Sequence, residues 1–368
     1  MLNTFKLASK QNSKFTSALG HSKATVEKSH ISHASKKRIR EIRKLGFNTD
    51  AIITGLLKGN KTQLSKAITL IESNANKHEH AVKKIIAASL PHANKSVRIG
   101  ITGVPGVGKS TFIESFGNYL IQLGKKVAVL AVDPSSSISG GSILGDKTRM
   151  EELVKSEAAF IRPTASGDSL GGVARKTRES VILCEAAGFD VILIETVGVG
   201  QSETAVHSMT DFFLLLKLAG AGDELQGIKR GIIEMADAIL INKADGQNKK
   251  AAKQAKVEFK RALHLYPEKR SNWIPKVKLC SALENWGIEQ TWEMLTNYFS
   301  LTKKNNFFEE NRKQQNKYWL LQSINEQLKS QLYNHPEIKK ELAEQLEKIH
   351  QQKTTPFEAA NYLLTLKG

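Results

Sequence analysis

Eight consecutive residues have the types and spacing of a phosphate cradle: Gly103, Val104, Pro105, Gly106, Val107, Gly108, Lys109 and Ser110. Glycine, four spacers and then Gly-Lys-Ser let backbone N–H groups curl around phosphate oxygens where Cβ atoms would obstruct them. Lys109 is placed to reach the β- and γ-phosphates of a nucleotide and Ser110 to ligate Mg2+. Thr111, the next residue, completes the expected phosphate-binding set. An apolar run, Val97 to Ile101, leads in and a helical pattern, Thr111 to Leu123, leads out. That strand–loop–helix context is what the motif requires, and the helix start adds the positive end of its dipole.

Further polar motifs follow in order. Asp133, before Pro134, closes the apolar run Val127–Val132, and Asp146 ends a glycine-rich stretch, Gly140 to Asp146. Both are candidates for the Mg2+ shell, although an Asp before Pro is also an ordinary turn cap. Glu195 closes Val191–Glu195 in the manner of a Walker B acid. With Gly198 it forms an acid-x-x-Gly pattern, which places the Gly198 N–H where it can sense a γ-phosphate. Asn242-Lys243-Ala244-Asp245 is a guanine-reading motif, and Ser281-Ala282-Leu283 is its downstream companion. Asp245 can accept from guanine N1–H and the 2-amine, Asn242 can bond N7 and O6, and the Ala282 N–H can bond O6. Adenine lacks the 2-amine and carries a lone pair at N1, so it would leave Asp245 unsatisfied.

The elements that must carry these residues alternate between apolar runs and helical patterns from Val97 to about Ser300. Expected strands are Val97–Thr102, Val127–Val132, Val191–Glu195, Phe212–Leu218, Ala238–Ile241 and Val277–Leu279. Nearly continuous apolar strands between helices predict an α/β fold: a P-loop domain with a mainly parallel central sheet, flanked by N-terminal helices and a C-terminal helical arm. Ligands on such sheets sit at the carboxyl ends of the strands, where each motif falls. The domains read as a transit peptide or disordered leader at 1–40, a helical cap at 41–95, the P-loop domain at 96–300 and a dimerisation arm at 301–368. In the arm, Leu320, Ile324, Leu328 and Leu332 recur every four residues, a stripe that needs a covering surface from this chain or a second one.

Composition sets limits. The 368 residues carry a net charge of +18, half of it within residues 1–45. No aromatic-interleaved basic motif accompanies the charge, so no nucleic-acid partner is expected. No apolar run approaches about 18 residues, so no membrane span is expected. Cys184 and Cys280 are too few for a disulfide scaffold or a thiolate metal cluster. Residues 1–35 are basic, Ser-rich and acid-poor, like a mitochondrial presequence, although Arg is absent before Arg38. The expected location is the mitochondrial matrix, with bacterial cytoplasm as the alternative.

Taken together, Gly103–Ser110, Asp133-Pro134-Ser135-Ser136, Gly141–Arg149, Glu195–Glu203, Gly222–Lys229 and Asn242–Asp245 resemble the methylmalonyl-CoA mutase-associated GTPases, over roughly residues 45–368. The resemblance implies a GTP-hydrolysing homodimeric chaperone that gates adenosylcobalamin delivery to methylmalonyl-CoA mutase and protects or reactivates that enzyme. It implies GTP/GDP and Mg2+ as cofactors. Lys109, Glu195, Gly198 and Lys229 are the catalytic candidates; the resemblance makes the loop from Asp223 to Lys229 a third switch that senses nucleotide and contacts the partner, and it gives Ser110, Asp133, Asp146 and Glu195 the metal. Some relatives bear the label of a transport-associated kinase, and a nickel-insertion GTPase is a further alternative. That class relies on Cys or His ligands, and here His78 and His80 stand as an isolated pair. Val199 follows Gly198 where Ras-type GTPases place a water-orienting Gln, which predicts slow hydrolysis in the free protein.

Overall fold

In a computed structural model, residues 47–73, 75–132, 150–163, 170–196, 202–220 and 230–366 are described. From Asn48 onward they belong to one compact unit. Its centre is a seven-stranded sheet in which every pairing is parallel. The strands are β1 (Val97–Gly103), β2 (Val127–Val132), β3 (Ala159–Pro163), β4 (Val191–Thr196), β5 (Phe212–Leu218), β6 (Ala238–Asn242) and β7 (Lys276–Leu279), in the order β3-β2-β4-β1-β5-β6-β7.

Six of these match the strands expected from apolar runs, and β3 is additional. Ala-Phe-Ile-Arg-Pro is too short and too polar at its end to stand out as an apolar strand. Its place at the sheet edge explains Pro163, because an edge strand need not donate from every N–H.

Period-two alternation divides the core between the two faces of the sheet. Ile99, Ile101, Val127, Val129, Leu193, Leu214 and Leu240 face one side. There they meet α4 (Lys109–Gln122), α5 (Glu151–Lys155) and α10 (Ile288–Lys304). Ala128, Leu130, Ile192, Ile194 and Phe213 face the other side, under α6 (Leu170–Ala186) and α7 (Ser202–His207). Gly100 belongs to that second side, where an added Cβ would come within 2.8 Å of Phe213 and 3.0 Å of Val206. The close passage of α7 therefore requires the missing side chain. Beyond β5, Ile239, Ile241 and Val277 pack with α8 (Arg230–Met235) and α9 (Lys249–Leu263). Cys184 lies in the second layer and Cys280 in the first, both fully enclosed. Burial raises both thiols, Cys280 to about 12.

The N-terminal helices α1 (Thr49–Leu57), α2 (Lys61–Glu72) and α3 (Glu79–Ser89) lie outside α6. Polar ties fix them there: Lys176 Nζ donates to Glu72 O at 2.7 Å, and Arg162 of β3 pairs with Glu72.

The C-terminal helices are α11 (Phe307–Asn334), α12 (Pro336–His350) and α13 (Pro356–Thr365). Thr355 and Glu358 form a reciprocal capping box that starts α13. The first part of α11 is built into the core through Phe308, Arg312, Gln315 and Trp319. Arg312 donates to both oxygens of Asp211 at 2.8 Å and to Ser96 O at 2.7 Å. Asp211 in turn accepts from the Arg98 N–H at 2.8 Å, and Arg98 forms a second buried pair with Glu185. Burial alone would lower the Arg312 pKa, but the Asp211 carboxylate outweighs it and raises it. Further along α11, Leu320, Ile324 and Leu328 remain exposed, so nothing among the described residues covers that stripe.

Arg312→Met strands the Asp211 carboxylate in the interior. It should cost about 3–5 kcal/mol, read from urea unfolding midpoints. Replacing Asp211 and Arg312 together with apolar residues of similar size should recover much of the loss.

Candidate functional site

The site lies at the carboxyl ends of β1, β4 and β6, with the loop after β7 beside them. The conformation of Gly103–Ser110 explains its glycines. Gly106 has φ 79° and Gly108 has φ 93°, both left-handed. At Gly108 a Cβ would stand 2.7 Å from Asn242 Nδ2, and at Gly103 it would stand 2.6 Å from Leu216 O. Val107 is fully buried and anchors the loop in the core, while Pro105 and Gly106 are exposed. Lys109 opens α4, and its Nζ donates to Gly103 O at 2.8 Å and Val104 O at 3.4 Å. The ammonium thus lies against the carbonyls at the start of the loop. Ser110 is half-buried and Thr111 exposed.

Glu195 is buried near the end of β4, in register with Ile101 of β1 and Ala131 of β2. Beside it, Thr196 Oγ1 donates to Thr102 Oγ1 at 2.9 Å, joining the last turns of β4 and β1. Asp133, Asp146, Gly198 and Lys229 lie outside the described residues. Among the described residues no three His, Cys, Asp or Glu side chains cluster as a metal cage.

The residues expected to read the base form one connected frame. Asn242 ends β6 at 1% exposure. Its Nδ2 donates to Val107 O at 2.9 Å, and its Oδ1 accepts from the Ala282 N–H at 3.2 Å and from Cys280 Sγ at 3.4 Å. The carboxamide therefore braces the glycine-rich loop and the β7 loop at once. The Ala282 N–H, expected at guanine O6, is already directed at Asn242 Oδ1. Lys243, exposed, takes a left-handed φ of 54°, a strained conformation for a side-chain-bearing residue. Asp245 is half-buried, and the Ser281 hydroxyl donates to its Oδ2. Ser281 Oγ also accepts from the Glu284 N–H at 3.1 Å, while Leu283 points out to solvent. Asp245 and Ala282 thus follow the ends of two neighbouring strands, β6 and β7.

A model of the family described as "Methylmalonyl Co-A mutase-associated GTPase MeaB" matches residues 64–337. The chain belongs to the MeaB family of GTPases. Escherichia coli GTPase ArgK is 46% identical over 281 residues, covering 76% of this chain and 85% of the relative. The mouse "Methylmalonic aciduria type A homolog, mitochondrial" is 43% identical over 325 residues, covering 86% and 78%. A solved structure, "Crystal structure of LAO/AO transport system kinase", superposes with a TM-score of 0.70 at 36% identity, covering 86% of this chain and 97% of that one. As a MeaB-family P-loop GTPase, the chain binds guanine nucleotide and hydrolyses GTP.

Sequence reasoning missed two members of this frame. Ser115 of α4 donates from Oγ to Ala282 O at 2.7 Å, and Cys280 touches Asn242. Cys280 adjoins a recognisable motif and could have been suspected, whereas Ser115 is an ordinary helix residue with no local signal.

Gly108→Ala should test the frame. The new methyl group would strike Asn242 in a backbone conformation that alanine resists, so GDP affinity should fall at least about 100-fold by calorimetry while the far-ultraviolet dichroism is kept.

Proposed function

We propose that this MeaB-family GTPase serves an adenosylcobalamin-dependent methylmalonyl-CoA mutase, gating cofactor delivery and protecting or reactivating the enzyme. The observation that carries the reading is the family match over residues 64–337, together with the intact guanine frame around Asn242 and Asp245. Lys109 neutralises β- and γ-phosphate charge, and the glycine-rich backbone orients the phosphates. Asp245 and Ala282 select the base.

Ser110 and Glu195 offer a hydroxyl and a carboxylate, the hard oxygen donors that Mg2+ takes when phosphates and water complete its shell. Asp133 and Asp146 are assigned to the same shell by resemblance. When bound, the ion supplies charge neutralisation to the phosphates.

Gly198 and Lys229 are assigned to sensing γ-phosphate and to contact with the client. With Val199 where a water-orienting Gln would stand, hydrolysis by the free protein is slow, and the client speeds it by ordering those loops. The exposed Leu320–Ile324–Leu328 stripe supports a homodimer formed through the C-terminal arm. Among the described residues no helix is long and apolar enough to cross a membrane. Relatives include both mitochondrial and bacterial proteins. The word kinase belongs to the name of the solved relative, and a base-selective guanine frame suits a GTPase better than a phosphoryl donor site.

GTP turnover should be measured with and without methylmalonyl-CoA mutase. Stimulation of about tenfold or more is expected, and Lys109→Ala should abolish both rates. Identical turnover with and without the mutase would remove the client reading while leaving GTP hydrolysis intact. Ile324→Glu with Leu328→Glu should convert a dimer to a monomer by light scattering, with GDP affinity unchanged.

A further inference from the structure

Among the described residues, two side-chain hydrogen bonds join the phosphate half of the site to the base half. One is the bond from Asn242 to Val107, which belongs to a recognised motif. The other is the bond from Ser115 to Ala282, which belongs to none. We propose that Ser115 is a positioning residue for guanine selectivity, acting through Ala282 on the 6-position of the base. The proposal rests on the guanine reading of this site and adds a residue to it.

The geometry is specific. Ser115 lies on α4, which begins at Lys109, so the helix carrying the phosphate-binding ammonium also carries this hydroxyl. Ala282 is 3% exposed and is held on both sides. Its N–H donates to Asn242 Oδ1 at 3.2 Å, and its carbonyl accepts from Ser115 Oγ at 2.7 Å. The rest of the loop is tied to itself and to β6. Ser281 and Trp286 exchange backbone bonds of 3.1 and 3.2 Å, and the Cys280 N–H donates to Ile241 O at 3.0 Å. Gly287 turns the loop at φ 79°, where a Cβ would sit 2.6 Å from Leu279 O. None of those bonds reaches the phosphate helix; the Ser115 bond does, beside the apolar packing of Ala282 in the core that α4 enters. The Asn242 bond to Ala282 is long, and the N–H can be shared with a keto oxygen brought beside Asn242.

Base chemistry then separates Ser115 from Asp245. Guanine and hypoxanthine both present a keto oxygen at position 6, and adenine presents an amine there. Only guanine carries the 2-amine that Asp245 reads. Loss of the Ser115 hydroxyl should therefore weaken GDP and IDP by one factor and leave ADP unchanged. A change at Asp245 should penalise GDP more than IDP.

The test is displacement of labelled GDP by GDP, IDP and ADP from the full chain, for wild type, Ser115→Ala, Ser115→Thr and Asp245→Ala. Ser115→Ala should bind GDP and IDP about five- to tenfold more weakly, with their ratio and the ADP constant unchanged. Ser115→Thr, which keeps the hydroxyl, should restore both. Asp245→Ala should collapse the GDP/IDP ratio. Ratios within one variant do not depend on the folded fraction, so partial unfolding cannot mimic the pattern. GDP affinity within twofold of wild type in Ser115→Ala would overturn the proposal, as would a parallel loss for ADP or a failure of Thr to rescue. Equal GDP and ADP binding by wild type would instead overturn the guanine reading itself.

Discussion

The carboxamide of Asn242 ties together the loops that follow β1 and β7. Its position at the end of β6 is set by the parallel sheet, and its two polar ends reach in opposite directions, to Val107 in the phosphate loop and to Ala282 beyond β7. Buried at 1% exposure, it depends on those partners, because an unmatched amide in the interior costs about 1–3 kcal/mol. The glycine at 108 follows from the same contact, since nothing larger fits beside Nδ2. The packing at Gly108 and one tie on each of the two loops thus come from one side chain.

The far end of the sheet is organised differently. There the amino ends of β1 and β5 are closed by buried charge, with Arg312 and Arg98 meeting Asp211 and Glu185. Each charge is paired and further hydrogen-bonded, which interior ions require. Those pairs fasten α11 and α6 to the strand that leads directly into the phosphate loop. One end of β1 is pinned by ions, and the other opens into a loop free to bind a ligand. This polarity suits a parallel sheet, whose ligands meet its carboxyl ends.

What could be read in the sequence was local. The phosphate loop and the Asn242–Asp245 motif are contiguous, and their chemistry follows from residue type and spacing alone. Six strands were visible because burial on both faces leaves nearly unbroken apolar runs. Edge position hid β3, where Arg162 and Pro163 are permitted. The Arg312–Asp211 pair spans 101 residues and the Ser115–Ala282 bond spans 167, so neither leaves a mark in any short window. The stripe on α11 was legible as apolar periodicity, but only the fold shows that its first turns enter the core and its later ones do not. The apolar stripes of α1 and α2 could be read in the same way, while the bonds that fasten α2 through Lys176 and Arg162 arise only on folding.

The two cysteines, sealed on opposite faces of the sheet with their thiols held protonated, have a practical consequence. An alkylating reagent can reach neither sulfur without local or global opening of the layer that encloses it. Modification of Cys280 therefore clocks the loosening of the core beside Asn242, and modification of Cys184 clocks that of the side under α6. The native chain carries its own pair of site-resolved stopwatches for breathing, with no label to be engineered.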